Sequence, residues 1–170
     1  MGNAPDSPLG LAKQVENLMK MPQRLCKQRG ICCKVAPFKG LMQVDEIRAL
    51  AQGDTIEAEM ARDFLALFLP YNSLDEVRAI APEFVERVQA QAVKGGRHPE
   101  NIGLFHCRFV QADGRCGVHE DRPVGCRMYP FPHKNTIYHP GCGFEQQGKE
   151  NWDKIKQILA SLGMSEDDVS

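Results

Sequence analysis

Seven cysteines in two groups are the residues best suited to carry chemistry in this 170-residue chain. The first group contains Cys26 and the adjacent pair Cys32 and Cys33, and Gly30 gives this loop the freedom to fold around a small centre. The second group is more widely spaced, with eight, nine and fifteen residues between its members, Cys107, Cys116, Cys126 and Cys142. Such intervals are typical of ligands that come from separate structural pieces and meet only in the folded chain.

The thiols can form disulfides or bind a metal, and the rest of the sequence favours metal. Residues 1–20 lack the apolar core of a secretion signal and no apolar run could span a bilayer, so we expect a soluble, cytoplasmic protein. Disulfides are disfavoured in that reducing compartment. A zinc site needs four donors at about 2.3 Å, and iron–sulfur clusters also favour thiolates. Seven thiols exceed one such site, so two centres, or one centre with redox-active thiols, both fit the sequence.

Composition and charge exclude several classes of function. The chain has 21 basic and 22 acidic residues, so it lacks the basic field that gathers nucleic acid or acidic membrane. It also lacks a phosphate-binding glycine loop, a dinucleotide fingerprint, an HExxH helix and a nucleophile elbow. We therefore expect neither nucleic acid nor membrane as a partner, and the oligomeric state stays open.

Helices between the two cysteine groups are expected to form the scaffold. After a loose leader over residues 1–12, the pattern predicts a short helix at Lys13–Met21. A second helix is predicted at Val44–Gln52, and Gly53 is placed to end it. A third, capped by Asp54 or Thr55, is predicted to end at Pro70. Its core side is predicted to carry Ile56, Met60, Phe64, Leu67 and Phe68.

A fourth helical segment and a terminal helix complete the predicted scaffold. The fourth begins with Ser73 as its cap and Glu76 at the capping-box position, and it runs to about Val93 with Pro82 dividing it. The terminal helix presents one apolar stripe before an acidic tail. This stripe consists of Trp152, Ile155, Ile158, Leu159 and Leu162.

Short strands are predicted around the second cysteine group. The segments "LFHCRFV" and "CGVH" read as two strands joined by a tight turn at Asp113 and Gly114, which would place Cys107 and Cys116 on facing arms of a hairpin. Residues 135–140 are predicted to form another strand, and Cys142 a loop position.

These elements predict an α+β fold: a small, mainly helical domain with a short β-hairpin and a cysteine-rich loop region around a metal site. The predicted organisation has three parts. Residues 1–23 form the leader and short helix, residues 24–145 the cysteine-cluster domain with a helical insert at 44–93, and residues 146–170 the terminal helix and acidic tail.

The cysteine motifs resemble a known family. The segments "CKQRGICC", "CRFVQADGRCGVHEDRPVGCRMYP" and "GCGF" are similar to the pattern of the CxxCxxCC-type cysteine-cluster proteins, which begins CxxCGxCC and continues with CxF and GxCxIYxxRPxxCRxFP. Members are described as zinc- or iron-chelating domains and are often labelled Fe-S-cluster-containing or Fe-S oxidoreductase-like. The similarity spans roughly residues 24–145.

The resemblance implies a metal-binding protein. It gives ligand roles to all seven cysteines and implies an iron–sulfur cluster, of the 4Fe-4S type, with a redox or electron-transfer role toward a protein partner. Zinc is the alternative metal, in a structural or partner-binding module. A cluster-dependent enzyme, such as a protein lysine N-methylase-like activity, is a further alternative, because some relatives are associated with flagellin lysine methylation.

Two positions depart from the family pattern. Arg29 stands where the family has its second cysteine, and an arginine cannot ligate a metal. His119 stands where relatives usually carry tyrosine, so it is a candidate substitute ligand, although a surface or hydrogen-bonded histidine is the safer reading. The same caution applies to three histidines near the second group, which are His106, His133 and His139.

Basic and aromatic residues of the motif are predicted to surround the metal. Four thiolates around zinc or an oxidised cluster leave a charge of about −2, which is costly to bury alone. Arg122, Arg127 and Arg29 are candidates to offset it, and Tyr129 to shield it from water. The alternative for Arg122 is a surface ion pair with a neighbouring acid, either Glu120 or Asp121.

Overall fold

A computed structural model describes residues 7–169 of the chain. The chain divides into two compact units. Unit 1 comprises Met1–Lys27 and Arg122–Ser170, and unit 2 comprises Gln28–Asp121. The predicted cysteine domain, 24–145, therefore contains all of unit 2 and parts of unit 1. Residues 1–6 of the predicted leader lie outside the described residues.

Residues 7–169 are mainly helical, with three short strands. The helices are α1 (Pro8–Met19), α2 (Ile31–Lys34), α3 (Val44–Leu50), α4 (Ile56–Leu67), α5 (Leu74–Ile80), α6 (Pro82–Lys94), α7 (Val124–Met128) and α8 (Glu145–Ser161). The strands are β1 (Ala36–Pro37), β2 (Phe68–Pro70) and β3 (Leu104–Cys107). Within residues 7–169, no helix is long and apolar enough to cross a membrane. The predicted α+β fold class is confirmed.

The sheet lies in unit 2 and is antiparallel, in the order β1, β3, β2. Phe105 on the central strand pairs with Ala36 on one side and with Pro70 on the other. The last residue of the central strand, Cys107, lies opposite Phe68. Because β1 directly follows α2 and Val35, the pairing of β1 with β3 brings the Cys32–Cys33 segment to the strand that ends in Cys107.

Aromatic packing stabilises the core of unit 2. The Phe64 ring of α4 lies 4.8 Å from Phe38, 4.5 Å from Phe68 and 5.0 Å from Phe105 between ring centroids. Phe105 is fully buried in the same cluster as Ile47 of α3. Aromatic pairs at such distances stabilise the fold by about 0.5–1.5 kcal/mol each beyond the effect of buried area. The sheet that carries Cys107 therefore packs against an aromatic core.

Unit 1 is built on the packing of α1 against α8. Trp152, Ile155 and Leu159 form the buried side of α8, and Val15 and Leu18 of α1 pack against them. Asn151 is buried beside this stripe and donates a hydrogen bond from Nδ2 to the Leu18 carbonyl at 2.8 Å. A second cluster of Met21, Tyr138 and Phe144 lies in the same unit; its cysteine neighbours are described below.

Local sequence signals predicted several helices correctly. Thr55 caps α4 and Ser73 caps α5, each accepting a backbone hydrogen bond three residues on. Pro82 divides the fourth segment as predicted, because it begins α6 directly after the cap at Ala81. The first helix was predicted too late: it begins at Pro8, where Ser7 supplies a cap and proline suits the first turn.

Two other predictions about packing and strands were wrong. Ile56 and Met60 are 75% and 52% exposed, so they do not form the core side of α4, where Ala58 and Ala61 are buried instead. Residues 135–140 form a loop rather than a strand. At the predicted hairpin, by contrast, the turn at Gly114 is present, and Cys116 of the second arm forms an antiparallel bridge with Val110 of the first.

Candidate metal centres

Four cysteines lie in unit 2, on three chain segments. Cys32 and Cys33 lie on the short helix α2, Cys107 ends β3, and Cys116 lies just after the turn that follows β3. Cys107 is buried and the other three are half-buried. The helix α2 packs against β3, which brings the first two segments together.

A backbone contact between two glycines brings the third segment to the first. Gly30 precedes α2 with φ +67°, and a Cβ atom there would lie 1.7 Å from the carbonyl oxygen of Gly114. Gly114 has φ +85° and itself approaches the Arg29 carbonyl. Both backbone conformations favour glycine, and only the absence of a side chain at Gly30 permits this approach. The contact sets the loop of Cys116 beside the N-terminal end of the Cys32–Cys33 helix.

The position of α2 is also held at its other end. The Tyr71 hydroxyl donates a hydrogen bond to the Lys34 carbonyl at 2.6 Å, and the Tyr71 backbone N–H donates to the Leu104 carbonyl at 3.1 Å. The Tyr71 ring lies 5.1 Å from the His106 ring, one residue before Cys107. One tyrosine therefore fixes the helix of Cys32 and Cys33 to the strand of Cys107.

The thiols of unit 2 interact with one another. A side-chain hydrogen bond with Cys32, followed by burial and then by the charges of Cys32, Cys107 and Cys116, raises the pKa of Cys33 well above its ordinary value. The Phe109 backbone N–H donates to the Cys107 Sγ at 3.4 Å. The charges of Cys32, Cys107 and Cys116 thus all act on the Cys33 thiol, and a bound cation would reverse the preference of Cys33 for its neutral form.

The other three cysteines lie in unit 1. Cys26 and Cys142 are half-buried and pack against the same apolar cluster, formed by Met21, Tyr138 and Phe144. Cys126 lies on α7 and is also half-buried. In the sequence Cys26 is grouped with Cys32 and Cys33; Cys26 lies in unit 1, and Cys32 and Cys33 lie in unit 2.

A second glycine contact sets Cys26 beside Cys142. A Cβ atom at Gly143 would lie 1.9 Å from the carbonyl oxygen of Leu25, so the backbones next to both cysteines touch. Nothing in the sequence pattern revealed this contact or the contact of Gly30 with Gly114. The only available signal was the glycine beside each cysteine segment.

The predicted charge-balancing residues are divided between the units. Arg29 is exposed in unit 2, and its backbone carbonyl oxygen lies close to Gly114. Arg127 is exposed in unit 1 and donates from Nε to the Arg122 carbonyl at 2.7 Å. Tyr129 is half-buried and lines a cavity of about 190 Å³ in unit 1. Their roles toward a metal stay predictions.

The histidines differ in burial. His119, the candidate substitute ligand, is exposed. The rings of His106 and His133 lie tilted against aromatic rings, with centroids 5.1 Å from Tyr71 and from Trp152 respectively. His139 is only 3% exposed, which sequence reasoning did not anticipate.

The chemistry of the donors suits a metal, although no metal geometry is preformed. None of the seven cysteines, all of which lie within residues 7–169, forms a disulfide. Within residues 7–169, no group of three or more Cys, His, Asp or Glu side chains is arranged so that it could hold a metal ion. The four thiols of unit 2 nevertheless match, in number and kind, the ligand set of a 4Fe-4S cluster or of a Cys₄ zinc site.

Comparison with known proteins identified no relative of the chain. No protein-family model, no curated protein and no solved structure matches the chain. The likeness to the CxxCxxCC-type proteins therefore rests on its motifs and stays a prediction. The role of the thiols as metal ligands likewise stays a prediction.

Proposed function

We propose that this chain is a metal-binding cysteine-cluster protein in which Cys32, Cys33, Cys107 and Cys116 hold an iron–sulfur cluster of the 4Fe-4S type. The observation that carries this proposal is the gathering of four thiols from three chain segments within unit 2. Four cysteine thiolates are the usual ligand set of such a cluster. A bound cluster supplies one-electron transfer, so the proposed role is electron transfer to or from a protein partner.

The surroundings of the thiols support a cluster in this position. The amide that donates to the Cys107 sulfur would stabilise the negative charge of a ligating thiolate, and such hydrogen bonds set the reduction potential of a cluster. The contact between Gly30 and Gly114 holds two ligand segments together through their backbones. The resemblance to Fe-S-labelled proteins favours iron over zinc.

The proposed compartment is the cytoplasm. Seven cysteines that form no disulfide are best maintained in a reducing environment, where disulfides rarely persist. The balance of 21 basic and 22 acidic residues provides no strong field toward nucleic acid. The partner that fits these properties is a protein that exchanges electrons with the cluster.

Anaerobic purification tests the proposal. We expect a brown protein with iron and acid-labile sulfide in equal amounts, and reversible bleaching of the visible absorption on one-electron reduction. Cys107→Ser should lose iron and sulfide, because it removes the most buried of the four ligands. Cys142→Ser, the same chemical change in unit 1, should keep the sulfide. A colourless protein with stoichiometric zinc in unit 2 would refute the cluster and would favour a zinc-binding module instead.

A further inference from the structure

The three cysteines of unit 1 are close neighbours through their adjoining residues. The Gln23 side chain donates from Nε2 to the Arg127 carbonyl at 3.0 Å, and Arg127 follows Cys126 directly. The Gln23 carbonyl accepts a hydrogen bond from the Cys26 N–H at 3.0 Å. Gln23 therefore links the backbone of Cys26 to the helix that carries Cys126.

The third cysteine joins the same region from the loop before α8. Gly143 touches the carbonyl of Leu25, so Cys142 is set beside Cys26. The cavity of about 190 Å³ is lined by near neighbours of all three cysteines, namely Gln23, Arg127 and Phe144. The three segments of unit 1 that carry these cysteines thus contact one another through neighbouring residues.

A buried histidine lies in the same loop as the third cysteine. The sequence His139-Pro-Gly-Cys142 forms a tight turn in which the Cys142 N–H donates to the His139 carbonyl at 2.9 Å, with Gly141 at φ +71°. Two intervening residues is a spacing typical of paired zinc ligands, because a tight turn can direct both side chains to one ion. The Nδ1 atom of His139 is buried, although histidine is more often only partly buried.

We propose that Cys26, Cys126, His139 and Cys142 form a second metal site, of Cys₃His type, for zinc or a similar divalent cation. This set mixes sulfur and nitrogen donors, which is usual for structural zinc. It is independent of the cluster proposed in unit 2. Zinc would link the loop before α8 to the turn before Cys26 and to α7, so its binding would stabilise the fold of unit 1.

The test uses the metal-free, reduced full-length chain and Zn²⁺ as the probe. Changing His139→Ala should remove one zinc equivalent per chain or weaken its binding roughly 100-fold, since even outer residues of a metal site change affinity about 10–100-fold. His139→Cys should restore the equivalent as a Cys₄ site. His133→Gln, a histidine change in the same unit, should leave zinc binding unchanged.

Co²⁺ gives a second readout of the same site. The charge-transfer absorption between thiolate and Co²⁺ reports cobalt–sulfur bonds. This absorption should be weakest in His139→Ala, stronger in wild type and strongest in His139→Cys. Unchanged zinc affinity and stoichiometry in His139→Ala, with unchanged cobalt absorption, would overturn the Cys₃His assignment. Failure of His139→Cys to restore the lost equivalent would overturn it as well.

Folding of the variants does not obscure the outcome. If His139→Ala is poorly folded, the urea midpoint of His139→Asn is measured with and without Zn²⁺. Zinc should raise the midpoint of wild type by more than that of His139→Asn, and an equal rise in both would refute the site. A wild-type protein that contains no iron or sulfide but binds zinc in unit 1 would contradict only the cluster proposed in unit 2. A wild-type protein that contains iron and sulfide but binds no zinc in unit 1 would contradict only the second site.

Discussion

Substitution of Gly30 by alanine tests whether a backbone contact assembles the thiols of unit 2. The new Cβ atom would lie 1.7 Å from the Gly114 carbonyl oxygen; the backbone fixes the Cβ position and the oxygen is itself a backbone atom, so one segment must move. The φ of +67° adds the cost of a left-handed conformation, roughly 1–2 kcal/mol for a residue with a side chain. Forced displacement of packed atoms typically adds about 1–3 kcal/mol. We expect a total loss of about 2–5 kcal/mol in the free energy of unfolding.

Gly96→Ala is the matched control in the same unit. Gly96 has φ +74°, nearly the same backbone conformation, but no atom lies within 4 Å of its Cβ position. The control therefore carries the conformational cost of about 1–2 kcal/mol without the steric displacement. The difference between the two variants isolates the contact with Gly114.

Urea unfolding and metal analysis together measure the result. Gly30→Ala should unfold at lower urea than Gly96→Ala, and anaerobically purified Gly30→Ala should contain less iron and sulfide because the loop of Cys116 is displaced. Gly96→Ala should keep its full cluster content. Equal urea midpoints in the two variants, with equal iron content, would refute the idea that the contact between Gly30 and Gly114 positions the ligands.

Two further predictions concern contacts away from the cysteines. Arg97 donates to both carboxylate oxygens of Glu46, at 2.8 and 2.9 Å, and thereby lowers the pKa of that carboxyl. The ion pair therefore stabilises the fold above pH about 4.5, and this stabilisation is lost as the pH falls further. Glu46→Gln should lower the free energy of unfolding by at most about 1 kcal/mol at pH 7. At pH 3 the urea midpoints of wild type and Glu46→Gln should converge. Asn151→Ala removes the hydrogen bond to Leu18 and should cost about 1–3 kcal/mol in thermal or urea unfolding; an unchanged midpoint would argue against this link.

Much of the helical scaffold was predictable because its signals are local. A cap such as Ser73 and a divider such as Pro82 act within one turn of the chain, so they are visible in the sequence. The buried side of α4 was not predictable in this way. Ala58 and Ala61 are buried and Ile56 is exposed, because the neighbouring elements, rather than apolar spacing alone, decide which side is covered.

The candidate site was only partly predictable. Residue type and spacing identified the cysteines, but their grouping follows the fold rather than sequence order. Cys26 belongs with Cys142 in unit 1, while Cys32 and Cys33 belong with Cys107 in unit 2. The division falls between Lys27 and Gln28, within the motif that looked continuous in the sequence.

The two cysteine sets share one means of assembly. In each unit, a glycine lets a carbonyl oxygen approach closer than any side chain would permit: Gly114 approaches Gly30, and Leu25 approaches Gly143. Contacts between backbones fix ligand segments more rigidly than contacts between flexible side chains, and precise ligand placement is what a metal site requires. The glycines beside the cysteines therefore belong to the candidate sites as much as the thiols do, although they donate nothing to a metal.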